Sequence, residues 1–263
     1  METPIVTLTT DWGDDGLFVG MAKGMLYQHI AGVRVVDISH RIKKFSISDA
    51  TFVVQHACTG FPEGTIHIID VATRPPFLAV KALGQYFLCC DNGLPMMVLG
   101  EHIEEAYTLP TKENGVYNFA VLSVLARAAV NIANGVPMEH FAQKATQLQQ
   151  SSIQRYMRFG EGYAVYVNYI DAYGNAYLGM SYREFEELRE GRAFTLTVRD
   201  QEVEDISLGY YDQKSTDPRH RLQLTVSATG WLELAVREGS FQQLFGLKVR
   251  EYVLLRFKAR SGR

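Results

Sequence analysis

Apolar and polar positions alternate in two distinct ways along this chain. In the first part, short apolar runs are separated by stretches of helical spacing. Pro4–Thr10 reads as a buried strand, followed by the polar turn Asp11-Trp12-Gly13-Asp14-Asp15-Gly16. Leu17, Met21, Met25, Leu26 and Ile30 then recur on one broad face, which predicts a helix over 17–30. Val33–Ile38 is a second predicted strand, and Ser46–Cys58 a helix with Ser46 or Ser48 as its N-cap. Gly64–Val71 is a third strand. Phe77–Leu83 and Gln85–Cys90 form a hairpin pair about Gly84. Asn118–Asn134 is an Ala-rich helix stopped by Asn134-Gly135. Strands alternating with helices predict an α/β unit with a mainly parallel sheet between helices.

The pattern changes near residue 150. Gln147–Gln154 is polar and linker-like. Beyond it lie short strands at Ala164–Ile170, Ala193–Val198, Leu222–Ser227, Trp231–Val236 and Tyr252–Phe257, with a short helix expected over Leu178–Arg189. The chain therefore divides into an α/β domain over 1–150 and a smaller, all-β C-terminal domain over 160–263.

Bulk composition narrows the function classes. The 263 residues carry a net charge of −3 with no block of like charge, which argues against nucleic-acid or membrane-surface binding by bulk electrostatics. No apolar run approaches the ~18 residues of a membrane span. The start has no basic region followed by an apolar core, so no signal peptide is expected. Cys58, Cys89 and Cys90 form no spaced framework, which fits a reducing, cytoplasmic compartment. Adjacent Cys89 and Cys90 would point to opposite faces of a strand, so a zinc pair is not expected. The seven histidines form no cluster of metal-ligand spacing, and no phosphate-cradling Gly-rich loop is present. His40 reads as a packed polar residue.

Four turns could carry chemistry. Asp11 follows a strand and precedes a helix, at the sheet edge where ligands bind open α/β folds. Its carboxylate can accept from a vicinal diol, bind a metal, or cap the helix. Asp70 and Arg74 share a second post-strand loop, where they can orient a water or form a loop salt bridge. Asp91-Asn92-Gly93 is a strong turn signal. In Asp171-Ala172-Tyr173-Gly174-Asn175, Asn can read a base edge and Asp can receive an amino group, or the segment is simply a turn.

Taken in order, these segments resemble the S-adenosylmethionine (SAM) hydroxide adenosyltransferases, the adenosine-forming SAM hydrolases related to fluorinase and chlorinase. The matching blocks are Ile5–Gly13, Val19–Gly24, Val35–His40, Phe61–His67, Asp91–Leu94, Ile170–Asn175 and Gly230–Val236. They span nearly the whole chain. The resemblance implies homotrimers, with SAM between one subunit's N-domain and a neighbour's C-domain, and no metal or other cofactor. It also implies site roles. Asp11 would hold the ribose diol and Phe45 would lie near the sugar and sulfonium. Asp171 would take the methionine amine, Asn175 the adenine, and Tyr211 would stack on it. The backbone from Val236 to Glu238 would read the adenine edge, and Thr229 would face the methionine part. Asp70 and Arg74 would be catalytic, and Thr73 falls where fluorinase has a ribose-side threonine.

The chain departs from the family at the chemistry. The Asp-Pro-Gly-Val-Gly loop is here Asp70-Val71-Ala72-Thr73, and the Phe-His-Gly-Arg-Asp motif has become Phe119-Ala120-Val121-Leu122-Ser123. Gly16 occupies the family's usual aspartate position, and Phe18 and Ala228 occupy positions that can be polar in relatives. Two functions follow: a hydrolase in which water attacks C5′ of SAM, giving adenosine and L-methionine, or a SAM- or adenosine-binding protein that has lost catalysis with the histidine segment.

Overall fold

The computed structural model describes residues 3–111, 119, 121–207, 209–210 and 222–258. The chain divides into two compact units, Met1–Ser152 and Ile153–Arg263.

In the first unit the elements run β1 (Ile5–Thr10), α1 (Leu17–His29), β2 (Arg34–Ser39), α2 (Ile47–Ala57), β3 (Ile66–Asp70), β4 (Phe77–Ala82), β5 (Gln85–Cys90), α3 (Leu94–Val98), β6 (Ile103–Leu109), α4 (Ala126–Ala133) and β7 (Gln143–Lys144). Among the described residues they build a seven-stranded sheet of order β2-β1-β3-β5-β4-β6-β7. Pairing is parallel across β2-β1-β3-β5 but antiparallel across β5-β4-β6-β7. The sheet is therefore mixed, not mainly parallel. The tight hairpin at Leu83-Gly84 reverses β4 against β5, and β6 and β7 continue in that sense.

Alternation along the strands sends side chains into two cores. Val6, Leu8, Ile66, Ile68 and Cys90 pack with Leu26 of α1, with Ile30 just after it and with the alanines of α4. Ile69, Phe87 and Cys89 pack on the other face with Ala50 and Val54 of α2 and with Cys58 at its end. Cys89 and Cys90 thus do face opposite ways, and burial pushes both thiols up. The predicted helix over 118–134 begins outside the described residues. What is described is a π-helical turn, Val121–Leu125, leading into α4.

The second unit comprises β8 (Tyr156–Phe159), β9 (Gly162–Ile170), β10 (Ala176–Ser181), α5 (Tyr182–Arg189), β11 (Phe194–Val198), β12 (Gln201–Val203), β13 (Ile206–Ser207), β14 (Leu222–Val226), β15 (Trp231–Val236), α6 (Phe241–Phe245) and β16 (Tyr252–Phe257). It is strand-rich, with order β12-β11-β16-β9-β10-β15-β14-β13 and β8 on β9. The helix expected over Leu178–Arg189 starts later. Leu178 and Met180 are buried strand residues, and Ser181 with Glu184 forms a capping box that fixes the start of α5. Among the described residues no helix is long and apolar enough to cross a membrane.

Gly93 links β5 to α3 with φ +90°, and a Cβ there would collide with the Ser151 side chain. Gly93→Ala is expected to destabilise by roughly 1–3 kcal/mol, read as a lower thermal midpoint. Gly135→Ala, also at positive φ but facing open space, is the control without the collision. Equal losses in the two variants would show that the Ser151 contact contributes nothing.

Candidate functional site

The carboxyl ends of β1 and β3 adjoin, with Thr10 opposite Asp70 in the parallel register. Asp11 follows directly on β1, so two carboxylates meet at this edge. Their environments differ. Asp11 is half-buried, and its Oδ2 accepts backbone N–H groups from Phe45 at 2.9 Å and Ala72 at 3.4 Å. Its Oδ1 accepts no hydrogen bond among the described residues. Asp11 does not cap α1, whose N-cap is Gly16 with no side-chain bond. Both donors sit in left-handed backbone, Phe45 at φ 62° and Ala72 at φ 50°. The Phe45 ring is 78% exposed, leaving an uncovered aromatic face beside Asp11.

Asp70 is buried. Its Oδ2 accepts from Trp12 Nε1 at 2.9 Å and its Oδ1 from the Thr73 hydroxyl. Burial raises its carboxyl above the usual range, against the two hydrogen bonds, and the nearby Asp11 charge adds to the rise. Arg74 is exposed and makes no ion pair with Asp70 among the described residues; the loop salt bridge anticipated for this turn does not form. Asn92 pins the loop from below, its Nδ2 donating to Val71 O at 3.3 Å. The Asp91-Asn92-Gly93 turn thus serves to position the Asp70 loop.

Sequence reasoning missed a polar chain behind Asp11. Thr10 Oγ1 lies 2.8 Å from His40 Nδ1, His40 Nε2 lies 3.1 Å from Asp37 Oδ1, and Lys23 Nζ is 2.5 Å from Asp37 Oδ2. Burial works to raise the Asp37 carboxyl, but the bonds from Lys23 and His40 outweigh it and hold it low. The His40 carbonyl also accepts from Gly13 N at 2.8 Å, tying down the Asp11 turn. The signal was Asp37 and His40 at strand-end spacing beside a threonine-rich strand.

Beside Trp12 the site has an apolar wall. Phe119 stacks on Phe18 with centroids 3.9 Å apart and lies 4.7 Å from Trp12. Val121 and Leu125 are sealed in the core. Trp12 therefore joins the two environments, apolar on its ring face and hydrogen-bonded to Asp70 through its nitrogen. A cavity of about 270 Å³ lined by Pro4, Pro62, Tyr86 and Ile132 lies instead at the amino ends of β1 and β3, away from both carboxylates.

In the second unit, Asp171 Oδ1 accepts from Tyr173 N at 2.9 Å and Asn175 N at 2.8 Å, which makes the turn. Asp171 Oδ2 takes Asn175 Nδ2 at 3.4 Å. The turn packs on the segment after β15: Gln242 N donates to Gly174 O at 2.9 Å, and a side chain at Gly174 would strike Ser240. Ala176 pairs with Leu234, so Asp171, Asn175, Val236 and Glu238 gather at one end of this sheet. Thr229, bonded to Ser227 Oγ at 2.8 Å, lies at the other end of β15. Tyr211 lies outside the described residues. Among the described residues no group of three His, Cys, Asp or Glu side chains could hold a metal ion.

A carboxyl raised in the folded state binds its proton more tightly there than in the unfolded chain. Stability then falls as pH rises from the ordinary carboxyl range through the raised folded value. Asp70→Asn keeps an acceptor for Trp12 and removes the buried charge. Its thermal midpoint is expected to exceed the parent's at about pH 8 and to lose that advantage toward about pH 4. A uniform loss at both pH values would contradict the burial argument.

The chain matches the model of the SAM hydroxide adenosyltransferase N-terminal domain over residues 6–142 and that of the C-terminal domain over residues 165–254. It is similar to a Thermus thermophilus protein named (R)-S-adenosyl-L-methionine hydrolase, 24% identical over 261 residues, covering 92% of this chain and 96% of that protein. A Methanocaldococcus jannaschii protein of the same name is 34% identical over 98 residues, covering 34% of this chain and only 37% of that protein's length. Two solved structures share the fold. One is an uncharacterized conserved protein from Thermotoga maritima (TM-score 0.81, 21% identity, 96% of this chain and 99% of that one). The other is a conserved hypothetical protein from Thermus thermophilus (TM-score 0.73, 22% identity, 98% and 100%). With both domain models matched in chain order, the protein belongs to the SAM hydroxide adenosyltransferase family.

Proposed function

We propose that this chain hydrolyses S-adenosylmethionine to adenosine and L-methionine. The observation that carries the reading is the pair of carboxylates at adjoining strand ends in unlike environments: Asp11 with one oxygen uncommitted, Asp70 buried with its carboxyl raised. Such a pair divides binding from base chemistry. Asp11 Oδ1 holds the ribose diol, beside the exposed Phe45 ring. Asp70, oriented by Trp12 and Thr73, takes a proton from the attacking water.

The reaction is one displacement. A bond forms from the water oxygen to C5′ as the C5′–S bond breaks. The electron pair leaves with sulfur, which becomes the neutral thioether of methionine, and the water proton passes to Asp70 and then to solvent. The sulfonium is already a good leaving group, so the protein's main task is to place and partly desolvate the water, and no cofactor is required. Trp12, Phe18 and Phe119 supply the apolar surroundings. They offer a physical substitute for the missing histidine: a better base made by burial instead of by a relay. The two relatives named as SAM hydrolases support the same activity, and it is favoured over a purely binding role.

The remaining roles are proposed on the family resemblance. Arg74, exposed on the Asp70 loop, acts only by turning inward over the bound ligand. Asp171 takes the methionine amine and Asn175 the adenine, with Tyr211, Thr229 and the Val236–Glu238 backbone completing the contacts. The assembly is a homotrimer.

The test is turnover in ¹⁸O-labelled water with excess chelator. Adenosine and methionine are expected in equal amounts, with the label in the adenosine 5′-hydroxyl. Methylthioadenosine as product, or no turnover, would overturn the proposal.

A further inference from the structure

One rung of the second unit's sheet is polar from end to end. Tyr169 pairs with Tyr177, Tyr177 with Glu233, Glu233 with Thr225, and Thr225 with Ser207. Directly opposed residues share a face. Leu232, Leu234, Leu178 and Leu224 belong to the apolar core, so this rung lies on the opposite face. At its centre Glu233 is fully buried. Its Oε1 accepts from the Tyr210 hydroxyl at 2.6 Å, while its Oε2 has no hydrogen-bond partner among the described residues. A buried carboxylate left half-satisfied is costly.

Asn175 sits two residues before Tyr177, hence on the same face as Glu233 and diagonal to it across the β10–β15 pair. The amide is also felt at Glu233. Burial raises the Glu233 carboxyl and the Asp171 charge adds to this, while the Tyr210 hydroxyl and the Asn175 amide pull the other way. Asn175 Nδ2 already donates to Asp171 Oδ2. An amide flanked by two carboxyl groups must turn its NH₂ toward them, because its carbonyl would be repelled by both. The atom left to meet a ligand is Oδ1, an acceptor.

Resting on the adenosyl reading above, we infer that Glu233 is a positioning residue for base selection: with Asp171 it fixes the Asn175 amide so that Oδ1 faces the ligand, selecting a base edge that carries an amino donor over one that carries a carbonyl. Tyr210 keeps Glu233 in place. A 6-amino purine then offers a donor to Oδ1, whereas a 6-oxo purine offers a second acceptor and is rejected.

The experiment compares adenosine and inosine binding by calorimetry in the wild-type chain, Glu233→Gln, Glu233→Asp and Tyr210→Phe, with side-chain amide NMR of Asn175 in the absence of ligand. The wild type is expected to prefer adenosine by at least about tenfold. In Glu233→Gln, whose own amide can pair with Asn175 in either orientation, the ratio should fall toward unity and the Asn175 NH₂ signals should move and exchange faster. Glu233→Asp should recover part of the ratio. Tyr210→Phe leaves the buried carboxyl in place and should give an intermediate ratio, so the test survives poor folding of a Glu233 variant. An unchanged ratio in Glu233→Gln, or equal weakening of both nucleosides, would overturn the inference, as would Asn175 amide signals indifferent to Glu233. Failure of the wild type to bind either nucleoside would overturn both the adenosyl reading and the base-selecting role. The amide signals would then still report whether Glu233 holds Asn175.

Discussion

A single carboxylate oxygen, Oδ2 of Asp11, receives the backbone N–H groups of two loops that are distant in sequence, at Phe45 and Ala72. Both donors are non-glycine residues at positive φ, a conformation that costs roughly 1–2 kcal/mol each. Hydrogen bonds to a charged acceptor are strong enough to offset such strain. Asp11 is itself fixed, because β1 lies between β2 and β3 and the following turn is tied to His40. The loop after β3 therefore depends on the end of β1 for its shape, and with that loop comes Asp70.

The surroundings of Asp70 decide how readily it holds a proton. Its hydrogen bonds come from Trp12, which follows Asp11 in the turn after β1, and from Thr73 of the loop that Asp11 holds through Ala72. On the far side of Trp12, Phe119 and Phe18 form an apolar surface. Desolvation is the leading influence on Asp70, and it makes the carboxylate a stronger base than a solvated one.

Much of this organisation was legible in the chain, for identifiable reasons. Strand ends followed by Asp11, Asp70 and Asp171 are local signals, and parallel pairing of β1 with β3 brings the first two together. Other features depend on long-range choices that no local window contains. The reversal at Leu83-Gly84 made the sheet mixed, because it sets β4 antiparallel to both of its neighbours, β5 and β6. Leu178 and Met180 fit a helix or a strand by spacing, and only the Ser181–Glu184 capping box marks where the helix begins. Arg74 looked like a partner for Asp70 by proximity in sequence, yet Thr73 and Trp12 take that carboxyl. Glu233 drew no notice in the sequence, since an acidic residue among strand apolars normally marks the solvent face, and here it is fully buried.

Asp11 is proposed to shape the site as well as to bind within it. Amide hydrogen exchange at Phe45 and Ala72, measured in the wild type, Asp11→Asn and Asp11→Ala, tests this most directly. Both amides should be protected in the wild type and largely protected in Asp11→Asn, whose carbonyl can still accept. In Asp11→Ala both should exchange at least about tenfold faster. Unchanged protection of both amides in Asp11→Ala would contradict the account, because the two loops would then hold their shape without the carboxylate.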